Sequence, residues 1–320
     1  MSLPLVAAAL AFAWSMGAHY TGACMGMPHA LGAIDARRAL LLMAPLALLG
    51  ATFASHGVER TVAGRLTGRG LSAAGELVVI LVAFALTSAY NRLRVPTSTI
   101  QILVFSLAGT ALAAGVGVRW ETIGLLAAVW AGAPLGACCL GFVLTRLLDA
   151  LRARHQGRHG GRAAPLGSAL VFVGALASFA MGSNDVANAT GPLVGARLLS
   201  PLAAGAVGGA GLAFGVLTYG RPLLSRVAFE IVELDRTMAT AAQCVQGAVV
   251  LCAVAFGLFT SMNQALVGAM GGAGLARGGK PIRAATLAGI LRGWALGPAA
   301  GLAAAYLGAR LAMAAGATLR

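Results

Sequence analysis

The chain has 320 residues, of which 59% are hydrophobic and only 10% charged, and its mean hydropathy is +0.85. Soluble domains carry about 25% charged residues, so this balance excludes a water-soluble fold and points to an integral membrane protein. The formal net charge of +14 does not mark a nucleic-acid binder: no basic patch interleaved with aromatics occurs, and the arginines fall mostly in short connections between apolar segments.

Ten apolar segments can be drawn along the chain, at roughly 3–33, 39–56, 73–91, 97–117, 122–147, 165–196, 200–218, 237–259, 261–275 and 284–308. Several reach the roughly 20 residues needed to cross a bilayer as a helix. A β-barrel would alternate in strands of about ten residues, and no such pattern occurs. The fold class is therefore an all-α polytopic membrane protein, and its 45 glycines suit close helix packing in lipid. Residues 3–14 could imitate a signal peptide, but no Lys or Arg precedes Arg37, so they read as the first half of a membrane segment. The five cysteines, Cys24, Cys138, Cys139, Cys244 and Cys252, all lie in apolar segments without metal-site spacing and read as buried free thiols.

The two halves of the chain echo each other. Met16-Gly17 answers Met181-Gly182, Gly57 answers Gly220, the stretch from Ser98 to Gln101 answers that from Ser261 to Gln264, and Trp130/Pro134 answers Trp294/Pro298. A duplicated fold follows, with residues 1–148 as the first membrane repeat, 149–164 as a basic cytoplasmic linker and 165–320 as the second repeat. With ten crossings and the N-terminus outside, the inner loops carry 14 Lys/Arg against seven in the outer ones, so both termini are placed outside. An odd number of crossings per half inverts the second repeat. Three crossings plus two re-entrant hairpins per half give the same parity, so the sequence leaves both versions open.

Residues 181–192 are the most informative stretch. Asn184, Asp185 and Asn188 sit in a long apolar run whose only acid is Asp185, and such groups are costly in hydrocarbon unless they hold something. Gly182 and Pro192 bracket them, which predicts a helix broken near mid-membrane, whose free ends can take ions. The spacing allows all three side chains to line one cavity. They then coordinate an ion or polar substrate; the competing reading is interhelical hydrogen bonding.

Other polar residues carry weaker signals. Thr97-Ser98-Thr99 and Thr260-Ser261-Met262-Asn263 open matched segments, and their hydroxyls can cap helices or cradle an oxyanion. Arg292, alone in the last apolar segment, reads either as an anion ligand and counter-charge for Asp185 or as a snorkelling side chain. Glu76, Trp130 and Trp294 read as interfacial, and His19 and Tyr20 mark the first-half break. Enzyme signatures are absent: there is no phosphate-binding glycine loop, nucleophile elbow, zinc-protease helix or paired acidic cluster.

The stretch Gly182-Ser183-Asn184-Asp185-Val186-Ala187-Asn188-Ala189 resembles the Gly-Ala-Asn-Asp-Val-Ala-Asn-Ala signature of the inorganic phosphate transporter (PiT) family. Its Pro-x-Ser-Thr-Thr-His element resembles Pro96–Gln101 and Ser261–Gln264, and its Trp-x-x-x-Pro element resembles Trp130/Pro134 and Trp294/Pro298. The likeness covers nearly the whole chain. It implies an inverted-repeat carrier for cation-coupled uptake of a tetrahedral oxyanion, phosphate first, in the cell (inner) membrane. The implied substrate site is Ser98, Thr99, Asn184, Asp185, Asn188, Ser261, Asn263 and Arg292. The implied cation site is Asp185, Asn188 and Thr190, with Na⁺ or H⁺ as coupling ion, no other metal and no further cofactor. A homodimer is left open.

The chain also departs from the family pattern. In the first half the signature reads Gly17-Ala18-His19-Tyr20-Thr21-Gly22-Ala23-Cys24, without the Asn-Asp pair. The motif histidines are Gln101 and Gln264, and Ala54 and Gly215 stand where the family usually has an acid. A proton-coupled permease for sulfate or another small anion therefore stays open, as does a non-transporting homologue.

Overall fold

The structure is a computed structural model that describes residues 2–68, 70–93, 97–158, 166–224, 234–278 and 284–320. Arg69, Arg94, Pro96, Arg162, Arg226 and the basic stretch 279–283 lie outside the described residues. The first half comprises α1 (Ser2–His19), a π-helical turn (Gly22–Gly26), α2 (Met27–Ala30), α3 (Ala36–Ala54), α4 (His56–Gly64), α5 (Ala73–Leu93), α6 (Thr99–Ala113) and α7 (Trp120–Arg158). The second comprises α8 (Leu166–Gly195), α9 (Pro201–Tyr219), α10 (Arg221–Leu224), α11 (Arg236–Ala255), α12 (Met262–Ala276) and α13 (Ala284–Ala314). Among the described residues β structure is confined to one isolated bridge, Thr67 to Val118.

Corresponding helices start 163 to 165 residues apart, as with Ala36 and Pro201 or Thr99 and Met262. Their caps correspond as well. Asp35 and Ser200 accept the backbone N–H groups of Arg38 and Ala203, and Ser98 and Ser261 accept those of Gln101 and Gln264; each removes one unpaired donor at a helix start. The Arg38 N–H, more than the neighbouring Arg38 charge, holds the Asp35 carboxyl below its ordinary range.

Seven helices among the described residues are long and apolar enough to cross a membrane, fewer than the ten segments drawn from sequence. The chain is a multi-pass membrane protein. Its outer surface carries Leu3, Leu135, Phe172, Phe256 and Leu311, each at least 69% exposed, as befits side chains solvated by lipid tails. The helices α6 and α12 have 15 residues each, about 22 Å against a hydrocarbon core of about 30 Å. Both therefore begin inside the protein, and their first residues are buried.

The halves interlock. α6 packs against α13 and α12 against α7, while α3 packs against α8 and α1 against α9. Glycines set the closest approaches. A Cβ on Gly182 would land on the backbone carbonyl of Ala47, and one on its counterpart Gly17 would land on that of Leu212, the counterpart of Ala47.

The break expected between Gly182 and Pro192 is absent: α8 is one helix of 30 residues. Gly182 serves the close crossing with α3, and Pro192 falls in the last turn of the helix, where its missing N–H only deprives the Asn188 carbonyl of its usual donor. The interruptions lie in the first half, at the π turn and at Ser55 between α3 and α4. The Gln243 amide of α11 donates to Ala23 O at 3.0 Å and to Cys24 O, taking up carbonyls of the π turn. The basic stretch assigned to a linker, 149–164, is helical as far as Arg158. There Asp149 of α7 joins Arg277, just past α12, through two hydrogen bonds of 2.6 and 2.7 Å, and Arg277 also reaches Asp235 at the start of α11.

Gly182→Val and Gly17→Val should each abolish the folded protein, because backbone cannot move aside for a side chain. The check is the monodisperse peak of the detergent-solubilised variants in fluorescence-detected size-exclusion chromatography.

Candidate ion and anion site

Asn184, Asp185 and Asn188 lie on α8 at 0% exposure. Residues three and four apart share a helix face, and this face looks toward the starts of both short helices. Asn184 makes a two-way pair with Thr260, just before α12: its Nδ2 donates to Thr260 O at 2.9 Å and its Oδ1 accepts from Thr260 N at 3.1 Å. The same Nδ2 lies 3.1 Å from Asp185 Oδ2, and Asn188 Nδ2 lies 3.5 Å from Asp185 Oδ1 and 3.5 Å from Thr99 Oγ1. The hydroxyls of Tyr20 and Thr99 are 2.7 Å apart, and the Tyr20 hydroxyl also faces the Asp185 carboxylate.

Asn263 closes the ring from the α12 side. Its Nδ2 donates to Thr97 O at 3.2 Å and lies 3.3 Å from His19 Nε2. Four pieces of chain thus meet: the end of α1, the start of α6, the middle of α8 and the start of α12. Ser98 and Ser261 sit at this junction, 2% and 1% exposed, as caps.

Two electrostatic features stand out. Among the described residues the ion pairs are Arg38–Asp35, Arg277–Asp149 and Arg277–Asp235, so Asp185 has no cationic partner. Several buried oxygens at the junction also have no hydrogen-bond partner: Asn188 Oδ1, Thr97 Oγ1, Thr260 Oγ1, Gln101 Oε1 and Gln264 Oε1. Buried polar groups in folded proteins are nearly always paired. Amide and carboxylate oxygens can ligate a cation, and hydroxyls with the N–H groups of a helix start can donate to an oxyanion.

The other sequence candidates are placed differently. Arg292 is exposed on α13, beside the exposed Leu291 and Leu296, so it neither joins the junction nor neutralises Asp185. Thr190 lies five residues beyond Asp185, about 140° around the helix, and donates to Glu59 Oε1 at 3.0 Å instead of joining Asp185 and Asn188. Glu76 is buried, 4% exposed, near Gly195. Trp130 is buried as well, 5% exposed, and its Nε1 donates to Phe259 O at 3.1 Å, so it does not face lipid. Trp294 is half-buried. Cys24 is buried, whereas Cys139 and Cys252 are exposed on the outside of the bundle; all five cysteines are free.

The site residues drawn from sequence lack Tyr20, Thr260, Gln243 and Glu59. Tyr20 and Thr260 border motifs that are visible in sequence, and Gln243 is a polar residue in an apolar run. Glu59 carries no such signal, since it follows the second apolar segment in a stretch that reads as a loop.

The profile described as the phosphate transporter family matches residues 16–305. The chain belongs to this family. It is 26% identical over 310 residues to the sulfate permease CysP of Bacillus subtilis (strain 168), covering 96% of this chain and 87% of that protein. It is also 37% identical over 130 residues to the chloroplastic inorganic phosphate transporter 2-1 of Arabidopsis thaliana, a match that spans 37% of this chain and 22% of the plant protein. Among solved structures, that of a protein named as the sodium-dependent phosphate transporter superimposes with a TM-score of 0.88 at 20% identity, covering 98% of this chain and 100% of that one. The family's fold is thus shared from end to end.

Asn184→Ala should destabilise the protein by about 2–4 kcal/mol, because it strands the buried N–H and C=O of Thr260. Equilibrium unfolding of the purified protein in mixed micelles checks this.

Proposed function

We propose that the protein is a cation-coupled secondary transporter that moves an inorganic oxyanion, phosphate foremost, across the cell (inner) membrane by alternating access. One observation carries the reading: a carboxylate without a cationic partner, flanked by two amides, meets the buried starts of two half-length helices at one enclosed junction. The N–H groups and hydroxyls of Ser98, Thr99 and Ser261, with the amide of Asn263, replace the anion's hydration; the positive ends of the two helix dipoles meet at the same junction. Asp185, with oxygens of Asn184 and Asn188, holds Na⁺ or H⁺. The cation cancels the Asp185 charge and so lets the anion enter beside it, and the loaded site can then change sides. Sodium coupling agrees with the sodium dependence named for the structural neighbour. A proton-coupled sulfate permease is the second reading, favoured by the full-length similarity to the Bacillus subtilis protein.

The topology that accompanies this reading has two inverted repeats, 1–148 and 165–320, both termini outside and the basic connection 149–164 in the cytoplasm. Assembly as a homodimer belongs to the same proposal. No catalytic role is assigned to any residue.

Proteoliposomes containing the protein should accumulate radiolabelled phosphate or sulfate under an imposed Na⁺ or H⁺ gradient, and Asp185→Asn should lower the initial rate at least about a hundredfold, the loss expected for a cation anchor worth about 3 kcal/mol. Uptake by Asp185→Asn at the wild-type rate would remove that residue from the mechanism, and no uptake by the wild type under either gradient would remove the function.

A further inference from the structure

A second buried carboxylate lies outside this junction. α4 folds against α8, and Glu59 becomes completely buried, at 0% exposure. Its Oε1 accepts the Thr190 hydroxyl at 3.0 Å, the Ser55 hydroxyl lies beside the same carboxylate, and its Oε2 is buried with no partner. The Thr190 hydroxyl has one proton for two acceptors, Glu59 and Val186 O at 2.9 Å, so it cannot satisfy the carboxylate fully.

The charges around Glu59 do not balance. On α4 itself, Arg60 is exposed and His56 is half-buried three residues away, its Nε2 buried without a partner. α8 contributes Asp185 as its sole charged residue, and α9 contributes none. α11 meets α4 near its C-terminal end, where Thr61 Oγ1 donates to Gly257 O at 2.6 Å. The titratable side chain there is the exposed Cys252, while Arg236 sits at the opposite end of the helix. No Lys or Arg faces the carboxylate from any of these elements, and an acid taken out of water needs a positive charge from somewhere.

We propose that Glu59, Thr190 and Ser55 form a second cation site, which takes up one positive charge per cycle as Na⁺ or H⁺, separately from Asp185. The site rests on the carrier reading above and extends it to two coupling cations per anion. Its oxygens are those of a carboxylate and two hydroxyls, hard donors suited to a small cation. Thr190 ties it to the helix that bears Asp185, so occupancy of one site can be felt at the other through α8. With a divalent oxyanion, two cations make each cycle electrically neutral.

The test compares wild type, Glu59→Gln and Thr190→Ala in proteoliposomes, with separate Na⁺ and H⁺ gradients to tell the two cations apart. The ratio of cation to anion flux should fall from about 2 to about 1 in both variants, with a matching fall in the Hill coefficient for the driving cation. Thr190→Ser, which keeps the hydroxyl, should restore the wild-type ratio. A folded Glu59→Gln protein that transports with the wild-type ratio overturns the site. If Glu59→Gln does not fold, the same ratio in Thr190→Ala decides; if it folds without transporting, radiolabelled sodium binding and proton uptake in detergent decide, and loss of one of two bound cations supports the site while an unchanged count refutes it. Absence of uptake by the wild type is a different result and counts against the carrier reading instead.

Discussion

A carboxyl group enclosed in an apolar bundle, with no ion pair among the described residues, is the constraint on which the rest of the architecture turns. Asp185 lies among Asn184, Asn188 and Tyr20, all of which present hydrogen-bond donors and none of which brings a full positive charge. Neutral donors soften the desolvation of a carboxylate but do not remove it. The arrangement makes sense as one state of a cycle in which the missing charge arrives from outside. Around it, the chain spends its least regular backbone: the π turn, the interruption at Ser55, and two helices that begin in the interior.

Helices that match in the two halves supply a frame around this irregular region. Equivalent glycines let equivalent helices touch backbone to backbone, Gly182 against Ala47 and Gly17 against Leu212. In lipid no hydrophobic drive presses helices together, so close contact and polar links must hold them. The frame is symmetric, but the site is not. Asn184, Asp185 and Asn188 come from the second half, whereas the corresponding stretch of the first half contributes His19 and Tyr20. One repeat brings the charge, and the other brings aromatic and hydroxyl groups that face it.

Much of this was legible in the residues themselves. Polar side chains in apolar runs stand out because hydrocarbon penalises them, which is why Asn184, Asp185 and Asn188 and the paired Ser98 and Ser261 were visible. The repeat was legible because glycines, prolines and tryptophans recur at one spacing. What failed depended on where a helix points. Arg292 and Trp130 are similar intrusions into apolar runs, yet one faces outward and the other is sealed against Phe259. Gly182 and Pro192 looked like a break because both weaken helices in isolation; in the fold one is a contact surface and the other lies in a terminal turn. Glu59 was hidden for the opposite reason. It stands in the short mixed stretch His56-Gly57-Val58-Glu59-Arg60-Thr61 after an apolar segment, so nothing local announces that α4 turns inward.

The exchange of partners between halves bears on how such a molecule can move. Each short helix is clasped by the long terminal helix of the other repeat, α6 by α13 and α12 by α7. Separating the two halves of the polypeptide would therefore mean breaking both of these contacts. A movement that keeps them intact carries each short helix together with a long helix from the other end of the chain.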